Sequence, residues 1–210
     1  MSDIRQALEK MLSGMTVVEP SQQPPTRWQY RPGCWEHGRG IPQRIAEVLR
    51  GGLEPTEART KIREHYKRGT MLVLAGPTGT GKSIAVAEVI QKARPPAELR
   101  YRPRYVAVAD YVRACQGDDS RGRGQWTDHE VQCCNVLALD DLGTEWASAS
   151  DFSAHVIREL LERRERDNST TLMTTNLSRR EFAQRYGTRL VSRLAGAGGW
   201  IQIDGKDMRR

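Results

Sequence analysis

The 210-residue chain holds only four cysteines, Cys34, Cys115, Cys133 and Cys134, two of them adjacent and the set without regular spacing. That argues against a disulfide framework and fits a reducing compartment. No apolar run approaches the ~20 residues that a membrane-crossing helix needs. The start, Met1-Ser2-Asp3-Ile4-Arg5, lacks the basic-then-apolar layout of a secretory leader. A cytoplasmic protein with no membrane partner is therefore expected. No internal repeat is present. Cys34 and His37 have the spacing of half a zinc site, but no second half follows, and ordinary thiols are expected. Acidic residues are in deficit, 26 against 33 basic ones, which leaves a formal charge of +7. A basic surplus concentrates polyanions near the surface and keeps nucleic acid in view as a partner. Many arginines between 158 and 166 instead alternate with Glu159, Glu162 and Glu165, as on a solvated helix face.

With 38% hydrophobic and 28% charged residues, the chain is globular and long enough to bury a core. Residues 2 to 14 read as a short amphipathic helix with Ile4, Ala7, Leu8, Met11 and Leu12 on one face, ended by Gly14. A stretch holding Pro20, Pro24, Pro25 and Pro32 follows and reads as an extended linker. Residues 1–40 thus form an appendage suited to binding a partner, and 41–210 a separate domain.

Within that domain, helices are predicted over Pro42 to Arg50 and Pro55 to Lys67. Strands and helices then alternate. Strands are expected at Met71 to Ala75, Tyr105 to Val108, Val136 to Leu139, Thr171 to Thr175 and Trp200 to Ile203. The helix over Asp151 to Arg166 is expected to bury Phe152, Val156, Leu160 and Leu161. Capping boxes are read at Thr127 to Glu130 and at Ser178 to Glu181. Such alternation implies a five-stranded parallel α/β sheet covered on both faces by helices.

The loop after the first strand, Gly76-Pro77-Thr78-Gly79-Thr80-Gly81-Lys82-Ser83, matches G-x-x-x-x-G-K-[ST] in full. Its glycines let backbone N–H groups turn inward around phosphate oxygens, and the following helix aims its positive end at them. Lys82 adds a cation for the terminal phosphates, and the Ser83 hydroxyl is suited to Mg²⁺. The third strand, Val136-Leu137-Ala138-Leu139, delivers Asp140 and Asp141 at its C-terminal end, where parallel sheets bind ligands. Asp140 is expected to hold Mg²⁺, mostly through water. Asp141 is expected on the other side of the strand, where it can polarise an attacking water. It is one methylene shorter than glutamate, so slow hydrolysis, stimulated by a partner or by DNA, is the expectation.

These motifs, followed by Leu172-Met173-Thr174-Thr175-Asn176-Leu177-Ser178, then Arg189-Leu190-Val191-Ser192-Arg193-Leu194 and the ending Gly205-Lys206-Asp207-Met208-Arg209, resemble the AAA+ ATPases of the DnaC/IstB group. That group contains loaders of the replicative helicase and helper ATPases of transposition. The resemblance runs from about residue 40 onward and implies a P-loop NTPase of AAA+ type with ATP and Mg²⁺ as its ligands. It implies that Asn176 orients water against the γ-phosphate. It also implies that Arg193, with Arg189 as the alternative, is an arginine finger reaching a neighbouring subunit, hence a ring-like or spiral homo-oligomer. Nothing after Ile203 resembles a lid domain, which leaves adenine recognition unassigned.

The group binds single-stranded DNA through basic loops, which makes Arg121 and Arg123 candidates beside a mobile-loop alternative. Tyr101, Tyr105 and Tyr111 could stack bases, or Tyr105 and Tyr111 could belong to the core. The expected function is ATP-dependent loading of the replicative helicase onto single-stranded DNA, with a transposition helper acting on a transposase as the alternative. A small-molecule kinase would carry an arginine-bearing lid and would lack this order of motifs.

Overall fold

A computed structural model describes residues 39–52, 54–93, 102–116, 128–145, 152–196, 199–205 and 207–208. The expected N-terminal helix and linker, Cys34 and His37, and the box at Thr127 lie at least partly outside these residues. In chain order the elements are α1 (Gln43–Arg50), α2 (Glu57–His65), β1 (Met71–Ala75), α3 (Lys82–Lys92), β2 (Arg104–Ala107) and α4 (Val108–Cys115). They continue with α5 (Asp128–Cys133), β3 (Val136–Leu142), α6 (Phe152–Arg166), β4 (Thr170–Thr175), α7 (Arg179–Tyr186), α8 (Thr188–Gly196) and β5 (Trp200–Gln202).

The five strands form one parallel sheet in the order β2-β3-β4-β1-β5. β1 is buried along its whole length. Side chains alternate across a strand with period two, so each strand feeds two cores. Met71, Val73, Leu137 and Leu139 join α4, α6, α7 and α8 on one face, where Phe182 stacks at a tilt on Tyr186 and edge-on to Trp200. Leu72, Leu74 and Ala138 join Ala58, Ile62, Val86 and Ile90 of α2 and α3 on the other. A parallel sheet covered on both faces explains why its strands read as continuous apolar runs.

Two buried charges bind helices to this frame. Glu88 of α3 accepts Arg59 Nε at 2.7 Å, Arg63 Nη2 at 2.8 Å and Lys92 Nζ at 2.5 Å, which ties α2 to α3. Hydrogen bonds from Arg59 chiefly, then from Lys92 and Arg63, hold its carboxyl well below the usual range against the cost of burial. On the opposite face the fully buried Arg164 of α6 donates to the carbonyls of Val131, Gln132, Cys134 and Thr170 and to Thr171 Oγ1. Its planar fork stitches the end of α5 to the start of β4.

The strand and helix positions follow the expected pattern, with small shifts and one larger correction. β3 runs on to Leu142 and carries a register shift against β4 between Leu139 and Leu142. In α6 the inward residues are Ser153, Ile157, Leu160, Leu161 and Arg164, while Phe152 is exposed. Spacing of four from Leu161 and Arg164 back to Ile157 and Leu160 defines the stripe, and Phe152 falls off it at the helix start. The capping box of α7 forms as read, with Ser178 Oγ accepting Glu181 N–H and Glu181 accepting Ser178 N–H. Among the described residues no helix is long and apolar enough to cross a membrane.

Candidate functional site

The loop from Gly76 to Ser83 leaves the C-terminal end of β1 and enters α3. Gly79 and Gly81 have φ of +84° and +80°, a left-handed conformation that a side chain would strain. Pro77 and Thr78 are exposed at the loop's crest, and Thr80 is buried with its hydroxyl donating to Pro77 O at 3.0 Å. Lys82 is folded inward: its Nζ donates to Gly76 O at 2.7 Å, Pro77 O at 2.6 Å and Asn176 Oδ1 at 3.1 Å. The ammonium therefore bridges the loop and the end of β4, and Asn176 reaches the site from the strand next to β1, as its position in the sequence motifs implies. The chain end also meets the loop. Ile203 N donates to Ala75 O at 2.7 Å and Met208 N to Gly79 O at 3.1 Å.

Asp140 stands at the end of β3 on the face that carries α3, because it keeps the parity of Val136 and Ala138. It is 8% exposed, and both its oxygens are held by neutral hydroxyls. Thr174 Oγ1 of β4 donates to Oδ1 at 2.6 Å, and Tyr105 Oη of β2 donates to Oδ2 at 2.5 Å. No lysine or arginine among the described residues forms an ion pair with it. Burial first, and then the Asp140 charge, push the Tyr105 phenol well above its ordinary range, so it stays a donor. The Ser83 side chain lies near the same phenol.

Asp141 is exposed and adopts φ of +62° at the shift between β3 and β4. A non-glycine residue there carries backbone strain. Its N–H donates to Thr174 Oγ1 at 2.9 Å, and its carbonyl accepts Thr144 Oγ1 at 2.6 Å. Beyond it, the buried Glu145 accepts Gly143 N–H at 2.8 Å, Arg185 Nε at 2.8 Å and the Tyr186 hydroxyl. The turn that follows the two aspartates is thus clamped to α7.

Other expected residues fall elsewhere. Arg193 of α8 is half-buried and paired at 2.6 Å with Glu165 of α6, and Arg189 is exposed. Tyr105 and Tyr111 are core residues, the latter donating to Asp128 Oδ1 at 2.8 Å, which removes them as base-stacking groups. Arg121, Arg123 and Tyr101 lie outside the described residues. The sequence reading missed Thr174 and the Tyr105 hydroxyl as neighbours of Asp140. The available signal was parity: Tyr105 pairs with Ala138 across β2 and β3, and Leu172 with Ala138 across β3 and β4. Tyr105, Asp140 and Thr174 therefore share one sheet face.

A phosphate loop between β1 and its helix, an acidic end of β3, and β4 inserted between those two strands together define a P-loop protein of the AAA+ type. The chain belongs to the family of IstB-like ATP binding proteins, whose model matches residues 61–210. No curated protein matches it. Its fold is shared with a crystal structure of the DnaC helicase loader, at TM-score 0.57 and 20% identity, covering 78% of this chain and 100% of that one. DnaI is similar at TM-score 0.55 and 19% identity, covering 83% and 99% of the two chains. The replication initiator DnaA bound to AMPPCP and single-stranded DNA aligns at TM-score 0.55 and 17% identity, over 76% of this chain and 50% of that one.

Proposed function

We propose that the protein hydrolyses ATP with Mg²⁺ and uses that cycle to load a replicative DNA helicase onto single-stranded DNA. The observation that carries the ATPase reading is the meeting of Lys82, which Ser83 follows in the loop, with Asn176 at the end of β4, the strand whose Thr174 also holds Asp140. Ser83 and Asp140 offer oxygen donors only, which suits a hard divalent cation better than zinc. When bound, Mg²⁺ supplies Lewis-acid neutralisation of the phosphate oxygens. The backbone amides of Gly79 to Ser83 hold the phosphate chain. Lys82 turns from the Gly76 and Pro77 carbonyls towards the terminal phosphates, Asn176 orients the attacking water, and Asp141 polarises it.

Arg193 supplies the finger to the neighbouring copy in a head-to-tail assembly, and assembly has to break its pair with Glu165. Replacing it, Arg193→Ala, should leave ATP binding by a dilute monomer unchanged. Hydrolysis by the assembled protein should fall on the order of a thousandfold, the low end for such fingers. Equal weakening of monomer binding, read by equilibrium titration, overturns the assignment in trans.

The loader reading draws on the coverage of nearly the whole solved chains of the DnaC helicase loader and of DnaI. The family match favours the second reading, an IstB-type helper that acts on a transposase. Affinity capture with the full chain in ATP and Mg²⁺ separates them. A retained hexameric helicase supports the loader, and a retained transposase replaces it. ATPase rates with and without single-stranded DNA test the remaining step; a rate indifferent to DNA and to either partner counts against both.

A further inference from the structure

The geometry points to Tyr105 as a positioning residue for the divalent cation: its hydroxyl locks the Asp140 carboxylate into one preformed orientation. This inference rests on the ATPase reading above.

Tyr105 is 1% exposed and sits on β2, the edge strand of the sheet, two residues before Ala107, the register partner of Asp140. Its ring packs in the core shared by α2 and α3, and its hydroxyl reaches Asp140 near the end of β3. The hydroxyl donates its proton to Asp140 Oδ2.

The rest of the surroundings keep that oxygen in place. Gly40 lies so near the Tyr105 carbonyl that a Cβ there would come within 2.3 Å of it, so the backbone of β2 is pressed from outside at this residue. Thr174 holds the other carboxylate oxygen at 2.6 Å. Asp140 can then neither rotate away nor find a cation of the protein's own.

Two neutral donors orient the carboxylate without cancelling its charge. A lysine or arginine in place of Tyr105 would do both, and would compete with the metal. Outer-shell partners of this kind typically change metal affinity 10- to 100-fold when removed. A phenol that merely filled the core would change nothing of the sort.

The test is Tyr105→Phe, which keeps the ring and deletes one oxygen. Binding of Mn²⁺ to the full-length protein with saturating ATP is followed by electron paramagnetic resonance, and ATP affinity is measured separately in EDTA. The expected result is Mn²⁺ binding weakened about tenfold, with ATP affinity in EDTA within twofold of the parent. In an Asp140→Asn background the same substitution should add no further loss, because Tyr105 acts through that carboxylate. Unchanged Mn²⁺ binding in Tyr105→Phe overturns the inference. So does a parallel loss of metal-free ATP affinity, which marks the hydroxyl as a support of the fold. If the parent protein itself shows no metal-dependent ATP binding, the ATPase reading fails first and the two failures are told apart.

Discussion

Glu88 and Asp140 are both buried carboxylates on the α3 side of the same sheet, yet their partners differ in kind. Glu88 faces three cations, Arg59, Arg63 and Lys92, so its charge is spent within the protein. Asp140 faces two hydroxyls, from Tyr105 and Thr174, and no cation among the described residues pairs with it. Leaving a buried charge in that state is costly unless a ligand completes it. The first arrangement serves to hold α2 on α3. The second presents an oriented carboxylate at the strand edge where the phosphate loop opens.

The contrast should survive mutation. The largest expected effect is at the site: Asp140→Asn should lower Mg²⁺-dependent hydrolysis on the order of a thousandfold, the several kcal/mol that a catalytic cation contributes. Its thermal stability should stay equal or rise, because a buried charge is removed; a marked drop in melting temperature would make Asp140 structural after all. Next comes Lys82→Ala, which removes the ammonium that now sits on the loop carbonyls. It should weaken ATP binding roughly a hundredfold, as the loss of charge-assisted hydrogen bonds implies. Full affinity by titration would exclude Lys82 from the phosphate site.

At Glu88 the pattern should reverse. Glu88→Gln should cost about 3 kcal/mol of folding stability, since it leaves Arg59 buried without its anion. ATP affinity should stay within severalfold, and denaturant unfolding beside nucleotide titration separates the two. The smallest effect is in pH. The Glu88 carboxyl is held below its unfolded value by Arg59, Lys92 and Arg63. Its contribution is therefore complete above the ordinary carboxylate range and is lost as pH falls through the depressed folded value. Unfolding followed from neutral to strongly acid conditions should show a shallower acid limb in Glu88→Gln than in the parent. Identical limbs would place the acid sensitivity elsewhere.

How far these networks could be read from the sequence depended on range. The phosphate loop and the strand that delivers Asp140 are local patterns, each legible in a window of eight or so residues. The place of Asn176 at the phosphate site followed from the family resemblance, whereas the strand order and its contact with Lys82 needed the structure. Tyr105 was legible only as an ambiguous aromatic, because its partner lies 35 positions away and the link needs the register of β2 on β3. Glu145 was similarly silent: its partners Arg185 and Tyr186 are 40 and 41 residues distant. Phe152 misled for the opposite reason. A large apolar side chain invites burial, but the phase of α6 is set by Ile157, Leu160, Leu161 and Arg164.

The irregular step at the end of β3 has a consequence for how two neighbouring acids coexist there. Leu137 and Leu139 are odd-numbered and Leu142 even-numbered, yet all three enter the same core. One residue has been added to the count between them, so the alternation loses half a beat at Asp141, and that side chain is turned out to water. Without the extra beat, strict alternation would drive Asp141 in among Leu139, Ile157 and Met173, where an unpaired anion has no company. Deleting a single residue in this stretch would thus trade a solvent-facing carboxylate for a misplaced one and unmake the strand end from within.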